Sequence, residues 1–245
     1  MSDLFTIALP SGRMSEESLD FFRRSGFADF QIPESRELSF IDPTGRYRIL
    51  LVRNQDVPVC VLHGGADAGV TGRDVMEEKQ YDLAIPLELE FGYCRLSLAA
   101  KTDDLERIAR ASHLRVATKY PSLTQDWFFK RGKSCEIIHL NGSVEIAPIV
   151  GLSDCIVDLV STGTTLKANG LTEIEQIMES RAMLVVNRSV FALCERKFTD
   201  FEHGLSIISQ RTGKKSFAID RKVIDDPDKE LSNWVVESFG HGSSE

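Results

Sequence analysis

The stretch from Glu145 to Leu171, EIAPIVGLSDCIVDLVSTGTTLKANGL, gathers residue types that handle a phosphorylated sugar. Its apolar run predicts a strand over Cys155–Val160, with Asp158 near the C-terminal end. The strand runs into Ser161-Thr162-Gly163-Thr164-Thr165, and a helix starts at Leu166-Lys167-Ala168. Ligands of α/β sheets sit outside the carboxyl ends of the strands. A hydroxyl-rich turn with a central glycine offers backbone N–H and side-chain O–H donors, and at a helix start these form an anion cradle. Gly163 permits a backbone geometry that a Cβ would hinder. Asp158 would repel a bare phosphate, yet it can accept hydrogen bonds from sugar hydroxyls beside one. A ribose 5-phosphate suits both halves. A plain strand–turn–helix connection, capped by Ser and Thr, explains the same residues without a ligand.

Other phosphate motifs do not fit. Gly132-Lys133-Ser134 has the end of a P-loop, but Trp127 occupies the position of its first glycine. Gly65, Gly69 and Gly72 lack dinucleotide-fingerprint spacing. The five cysteines, Cys60, Cys94, Cys135, Cys155 and Cys194, are odd in number and form no C-x-x-C pair, which argues against a disulfide framework or a zinc site. Buried thiols in a reducing cytoplasm are the expectation. His63, His113, His139, His203 and His241 show no metal-ligand spacing, so no protein-held metal site is expected.

The elements that must position these residues alternate between strand and helix. Strands are predicted at Phe5–Leu9, Leu38–Ile41, Tyr47–Val52, Ala66–Val70, Leu83–Leu87, Cys94–Ala100, Leu114–Thr118, Glu136–Leu140, Cys155–Val160 and Ala182–Asn187. Pro43-Thr44-Gly45 turns the second into the third. Helices are predicted at Met14–Arg24, Asp56–Leu62, from Arg73, after a Thr102 cap, from Pro121 with a Ser122-x-x-Gln125 capping box, at Val144–Val150 and over most of Ser189–Gln210. This rhythm implies an α/β fold with parallel or mixed sheets covered on both faces. Among 245 residues, 37 acids against 29 Lys plus Arg give a net charge of −8, opposite in sign to a general nucleic-acid binder. No apolar run reaches the ~18 residues of a membrane span, and no secretory signal is expected at the N-terminus. Gly213–Glu230 is rich in mixed charge, while Leu231, Trp234, Val235 and Phe239 have the spacing of an apolar helix face. This tail is either a solvated terminus or a docking segment.

The Glu145–Leu171 stretch resembles the phosphoribosyl pyrophosphate signature of the ATP phosphoribosyltransferases, the first enzymes of histidine biosynthesis. Three more blocks resemble that family in order: Ala8–Arg13 (ALPSGR), Val52–Pro58 (VRNQDVP) and His63–Asp74 (HGGADAGVTGRD). Arg115–Tyr120 (RVATKY) and Asn187 extend the match, which covers about residues 4–205. The resemblance implies a two-lobed fold like that of periplasmic binding proteins, with a cleft between the lobes. Residues 1–91 plus 182–212 would form lobe one and 92–181 lobe two, leaving 213–245 as a tail. The reaction implied joins ATP to phosphoribosyl pyrophosphate, giving phosphoribosyl-ATP and pyrophosphate, with Mg2+ arriving mainly on the substrate's pyrophosphate. A non-catalytic solute-binding module of the same fold is the alternative.

The family pattern places Arg13 and Arg53 at the pyrophosphate end, as catalytic residues. It places Asp158 and Thr162, Gly163, Thr164 and Thr165 around the ribose phosphate. Ser161 falls where some relatives carry an acid, which implies a positioning role. Glu145 is either a ribose or metal-water contact or a helix N-terminal carboxylate. Arg73 is a candidate to face ATP, and Asp74 reads as a cap. Long-form members add a histidine-binding domain of about 70–80 residues. Only about 35 residues follow the core here, which resembles the short form. That form implies a separate regulatory subunit related to histidyl-tRNA synthetase, a homodimer alone and a hetero-oligomer with the partner.

Overall fold

The computed structural model describes residues 4–25 and 37–187. Two sheets form two lobes. The first contains β1 (Phe5–Pro10), β2 (Ser39–Ile41), β3 (Tyr47–Val52), β4 (Ala68–Gly72), β5 (Ala84–Glu88) and β11 (Ala182–Val186), in the order β2-β3-β1-β4-β11-β5. β3, β1 and β4 are mutually parallel neighbours; β2, β11 and β5 run antiparallel to the strands they pair with. Its helices are α1 (Arg13–Ser25), α2 (Val57–Leu62) and α3 (Arg73–Lys79). The second sheet contains β6 (Cys94–Lys101), β7 (His113–Thr118), β8 (Ser134–His139), β9 (Cys155–Val160) and β10 (Leu171–Ser180), in the order β10-β6-β9-β7-β8. Here β8, β7 and β9 are the parallel neighbours. Between them lie α4 (Leu105–Arg110), α5 (Pro121–Lys130), α6 (Ile146–Ile149) and α7 (Thr164–Ala168).

Strand alternation places a core on both faces of each sheet. In β1, Ile7 and Leu9 join Leu19, Phe21 and Phe22 of α1, whereas Ala8 joins Val57 and Val61 of α2. In β9, Cys155 and Val157 pack with Trp127 and Phe128 of α5, whereas Ile156 and Val160 pack with Ala147 and Leu166. Period-two burial on both faces is what a covered parallel sheet requires. The chain passes between lobes twice, from β5 to β6 and from β10 to β11. The two passages are tied together: Ala182 N–H donates to Phe91 O at 3.0 Å, and Leu89 N–H to Ala182 O at 2.8 Å.

Several sequence expectations shift. The predicted Ala66–Val70 strand runs from Ala68 to Gly72, because Asp67 turns its carboxylate to the Thr6 N–H at 2.7 Å. The predicted Asp56–Leu62 helix is a 3-10 turn, Asn54–Asp56, followed by α2. The Val144–Val150 helix contracts to Ile146–Ile149. Thr102 does not cap α4; Asp104 precedes that helix, and the Thr102 hydroxyl lies 2.8 Å from Thr172 Oγ1. The ten-residue β10 has no counterpart among the strands that the sequence pattern predicts. The predicted Ser189–Gln210 helix, Cys194, His203, His241 and the 213–245 tail lie outside the described residues.

Candidate active site

Every charged candidate in lobe one leaves the same sheet edge. β1 ends at Pro10, which is in register with Val52 at the end of β3, and β4 ends at Gly72 beside them. Arg13, Arg53 and Arg73 follow these three parallel strands, so three guanidinium groups start from one carboxyl edge. Arg13 opens α1 and pairs with Glu17 at 3.1 Å, yet its side chain remains 72% exposed. Arg53 is exposed at the start of the 3-10 turn. Asn54 anchors that turn: its Oδ1 accepts from Thr71 Oγ1 at 3.0 Å and from Gly72 N–H at 3.3 Å. Arg73 is more constrained. Its N–H donates to Arg181 O at 3.0 Å, and its side chain reaches Glu77 at 3.3 Å.

Lobe two presents an acidic and hydroxyl edge. Asp158 lies in β9, where it pairs with Ser97, and its Oδ1 accepts from Leu159 N–H at 2.8 Å. Burial raises its carboxyl pKa to about 6; the Leu159 N–H opposes this, Glu145 adds to it and Lys119 opposes it. Glu145 thus sits within electrostatic reach of Asp158. It stands at the N-terminus of α6 without a side-chain cap bond, a place that fits the helix N-terminal carboxylate as well as a ligand contact. Ser161, Thr162, Thr164 and Thr165 are exposed around the half-buried Gly163. Gly163 has φ +78°, and a Cβ there would meet only Val160 Cγ1 at 3.9 Å. The glycine is therefore required by the left-handed backbone, not by lack of room. Thr162 and Thr164 share a hydroxyl contact of 2.9 Å, which closes the turn.

The two edges meet. Asp74, two residues beyond β4, accepts from the hydroxyl of Tyr120, two residues beyond β7, at 2.8 Å. The expected role of Asp74 as a cap of α3 is thereby replaced: its carboxylate bridges the lobes. The Ser122–Gln125 capping box does not form either: Tyr120 precedes α5 without a cap bond, and the Ser122 and Leu123 N–H groups donate to Glu78 at 3.0 Å each. Asn54, Lys119 and Tyr120 fall within the VRNQDVP and RVATKY blocks but carry no role of their own in the sequence, and nothing in the linear pattern singles out Glu78. Within the RVATKY block, Lys119 and Tyr120 serve the site, whereas Arg115 pairs with Asp154 at 3.3 Å. Asn187 stabilises α2 from the end of lobe one's last strand, donating to Val61 O at 2.7 Å.

The ATP phosphoribosyltransferase profile matches residues 53–206. A protein of Leptospira biflexa serovar Patoc named "ATP phosphoribosyltransferase" is 52% identical over 189 residues, spanning 77% of this chain and 92% of its own length. This chain belongs to the ATP phosphoribosyltransferase family. A chain of the "ATP phosphoribosyl transferase (HisG:HisZ) complex from Thermotoga maritima" superposes with TM-score 0.68 at 34% identity, over 84% of this chain and 100% of that one. The alkanesulfonate-binding protein SsuA from Xanthomonas axonopodis pv. citri, bound to MOPS, superposes with TM-score 0.51 at 13% identity, over 86% of this chain and 80% of its own. That likeness concerns fold alone, and it agrees with the two-lobed expectation.

Family membership bears on the remaining side chains. Among the described residues, no three His, Cys, Asp or Glu stand together as a metal cage. Glu145 and Asp158 are two acids of lobe two within electrostatic reach of each other. Such a pair suits a hard cation that keeps water and phosphate oxygens as its main ligands. Cys94 and Cys155 are poor nucleophiles: burial, aided by Asp74, pushes Cys94 up to about 11, and burial pushes Cys155 up to about 12. No helix among the described residues is long and apolar enough to cross a membrane.

Proposed function

We propose that this chain catalyses the condensation of ATP with 5-phosphoribosyl 1-pyrophosphate, releasing pyrophosphate and forming phosphoribosyl-ATP. The observation that carries this is the meeting of two carboxyl edges of opposite character at the Asp74–Tyr120 contact. A substrate with a sugar phosphate at one end and a pyrophosphate at the other needs that arrangement. Thr162, Gly163, Thr164 and Thr165 hold the 5-phosphate, with Ser161 shaping the turn. Asp158 accepts hydrogen bonds from the ribose hydroxyls, and Glu145 contacts the ribose or a metal-bound water. Arg13 and Arg53 take the pyrophosphate with paired donors. Arg73 faces ATP.

A ring nitrogen of adenine forms a bond to ribose C1 while the C1–O bond to pyrophosphate breaks and its electron pair leaves with the pyrophosphate. Positive charge grows on the ribose ring and negative charge on the leaving group. Arg13 and Arg53 stabilise the leaving charge, and Asp158 lies on the side of the ribose. The protein supplies positioning and electrostatics, with no covalent intermediate on it. Mg2+ brought in with the substrate's pyrophosphate would neutralise part of the leaving-group charge, and Glu145 and Asp158 would be the acids available to its waters.

We also infer that regulation comes from outside this chain. A separate subunit related to histidyl-tRNA synthetase would pair with a homodimer of this chain in the cytoplasm. The similar Thermotoga maritima chain belongs to a HisG:HisZ complex, which supports this. The test is turnover with ATP, phosphoribosyl pyrophosphate and Mg2+, with the partner present, read by mass spectrometry. Phosphoribosyl-ATP is the expected product. Binding of phosphoribosyl pyrophosphate without any product would point instead to a solute-binding module.

A further inference from the structure

α3 presents two carboxylates to the opposite lobe, one turn apart. Asp74 is 2% exposed, Glu78 5%, Tyr120 4% and Ser180 1%. Asp74 Oδ2 accepts from Tyr120 at 2.8 Å, and Oδ1 accepts from Ser180 Oγ at 2.6 Å. Ser180 accepts in turn from the Asp74 N–H at 3.1 Å. Ser180 ends β10 and pairs with Cys94, the first residue of β6, so Asp74 grips the place where both passages between lobes lie side by side. Gly72 makes room for this: a Cβ there would stand 2.1 Å from Asp74 Oδ1. Glu78 satisfies two N–H groups that the first turn of α5 leaves without helical partners. A carboxylate of one lobe thus caps a helix of the other.

We propose that Asp74, Glu78, Tyr120 and Ser180 form a fixed pivot that holds the two half-sites in register, with Tyr120 as a positioning residue for the reaction. The geometry selects a pivot over a latch. A latch would lie at the cleft mouth, where the lobes travel far, whereas the Asp74–Ser180 bonds lie at the crossovers, where rotation moves atoms least, with Tyr120 on the same carboxylate. Tyr120 also joins the halves electrically. Its hydroxyl proton is retained mainly because of burial, then because of Asp74, with Asp158 adding to the effect. On the other side, Arg13 acts on Cys94 within the same cluster. Loss of the Tyr120 hydroxyl removes the 2.8 Å bond by which the end of β7 holds Asp74 of lobe one.

The inference rests on the proposed division of substrate between lobes, and half-substrates separate the two claims. Ribose 5-phosphate touches only lobe two in that reading, while phosphoribosyl pyrophosphate needs both lobes. Tyr120→Phe should bind ribose 5-phosphate as the wild type does, yet lose roughly tenfold to hundredfold in kcat/KM for phosphoribosyl pyrophosphate, the scale of one hydrogen bond to a charged group. Glu78→Gln, which keeps the volume, should show the same split more mildly. Equal losses for both ligands, or no loss in kcat/KM, would overturn the pivot. Failure of the wild type to bind ribose 5-phosphate would overturn the cradle reading instead. Hydrogen exchange on the wild type tests the pivot apart from any variant's folding. The Ser122 and Leu123 amides should be protected as deeply as those of β7, with and without both substrates; fast exchange, or deprotection on adding substrates, would refute it.

Discussion

Asp158 sets stability against function, and the size of the conflict follows from its surroundings. Burial takes its carboxyl pKa from 3.8 to about 6. A shift of about 2 units corresponds to about 3 kcal/mol against the charged form. Solvent reaches part of the group, so about 1–3 kcal/mol is the working range. Its folded value lies above its unfolded one, so between them the folded chain binds more protons than the unfolded chain. Stability therefore falls as pH rises from about 4 to about 6 and stays level above that window. Asp158→Asn removes the charge and keeps an oxygen for the Leu159 N–H. At about pH 7.5 this variant should be more stable than the wild type by about 1–3 kcal/mol, and the gap should close near about pH 4. Urea denaturation of both proteins at both pH values isolates the effect, because the other groups titrate in each. The same variant should lose roughly tenfold to hundredfold in kcat/KM, since ribose orientation depends on the acceptor. Wild-type kcat/KM should itself decline below about pH 6 as Asp158 takes up its proton. A variant that is less stable at about pH 7.5, with the same deficit at about pH 4, would refute the reasoning.

Gly163→Val forces a β-branched residue into φ +78°, so it should cost about 1–3 kcal/mol of stability and abolish tight phosphoribosyl pyrophosphate binding; unchanged affinity by calorimetry would place the phosphate elsewhere. Arg53→Ala should slow the single-turnover step by roughly tenfold to a thousandfold, with only partial recovery in Arg53→Lys, and Arg13→Ala should act likewise with a larger share in binding. A wild-type single-turnover rate in Arg53→Ala would remove that arginine from the leaving-group site. Histidine should leave the initial rate of the chain alone unchanged and inhibit only after the regulatory subunit is added, because feedback needs a second site with different affinity in two states. Inhibition of the chain alone, without competition against either substrate, would contradict this.

The strand that carries the cradle is legible in the sequence because β9 is an apolar run with cores on both faces, and its turn follows directly. The positions of Arg13, Arg53 and Arg73 are legible for a similar reason: each lies within three residues of a strand end. β10 is not legible. Its acids Glu173, Glu175 and Glu179 disfavour a strand assignment. Two register shifts, at Glu173/Glu175 and Gln176/Met178, also break the alternation that would reveal it. Glu173 is there for a reason the linear sequence hides: it pairs with Arg95 and accepts from Ser97 at 2.8 Å on the neighbouring strand. The pivot is hidden in the same way. Glu78 caps a helix 44 residues later, and Asp74 meets partners 46 and 106 residues away. Asp74, an acid in the first turn of a short helix, looks like a cap, and Glu78 near its end looks like a surface acid; only the tertiary contacts show that their partners belong to the other lobe.

The net charge of −8 and the binding of two polyanions are compatible only if charge is sorted locally. The topology does that sorting. Three neighbouring parallel strands of lobe one each release an arginine at the same edge. The carboxyl edge of lobe two carries Asp158, Glu145 and a hydroxyl turn, with Lys119 beside the acids. Neither edge alone matches a substrate that is anionic at both ends and neutral in the middle. At lobe two's turn the Arg95 guanidinium, which donates to Ser161 O at 3.0 Å, is already engaged by Glu173, whereas lobe one's edge carries the three arginines. The proposed reaction gains from this division, because the bond that breaks lies between the two recognised ends. Charge moves from the lobe-two side toward the lobe-one side as the pyrophosphate leaves, so rate depends on the relation between lobes as well as on either half. A protein built this way places its most consequential polar contacts at the hinge, where Asp74 and Glu78 are buried, and not only at the residues that touch substrate.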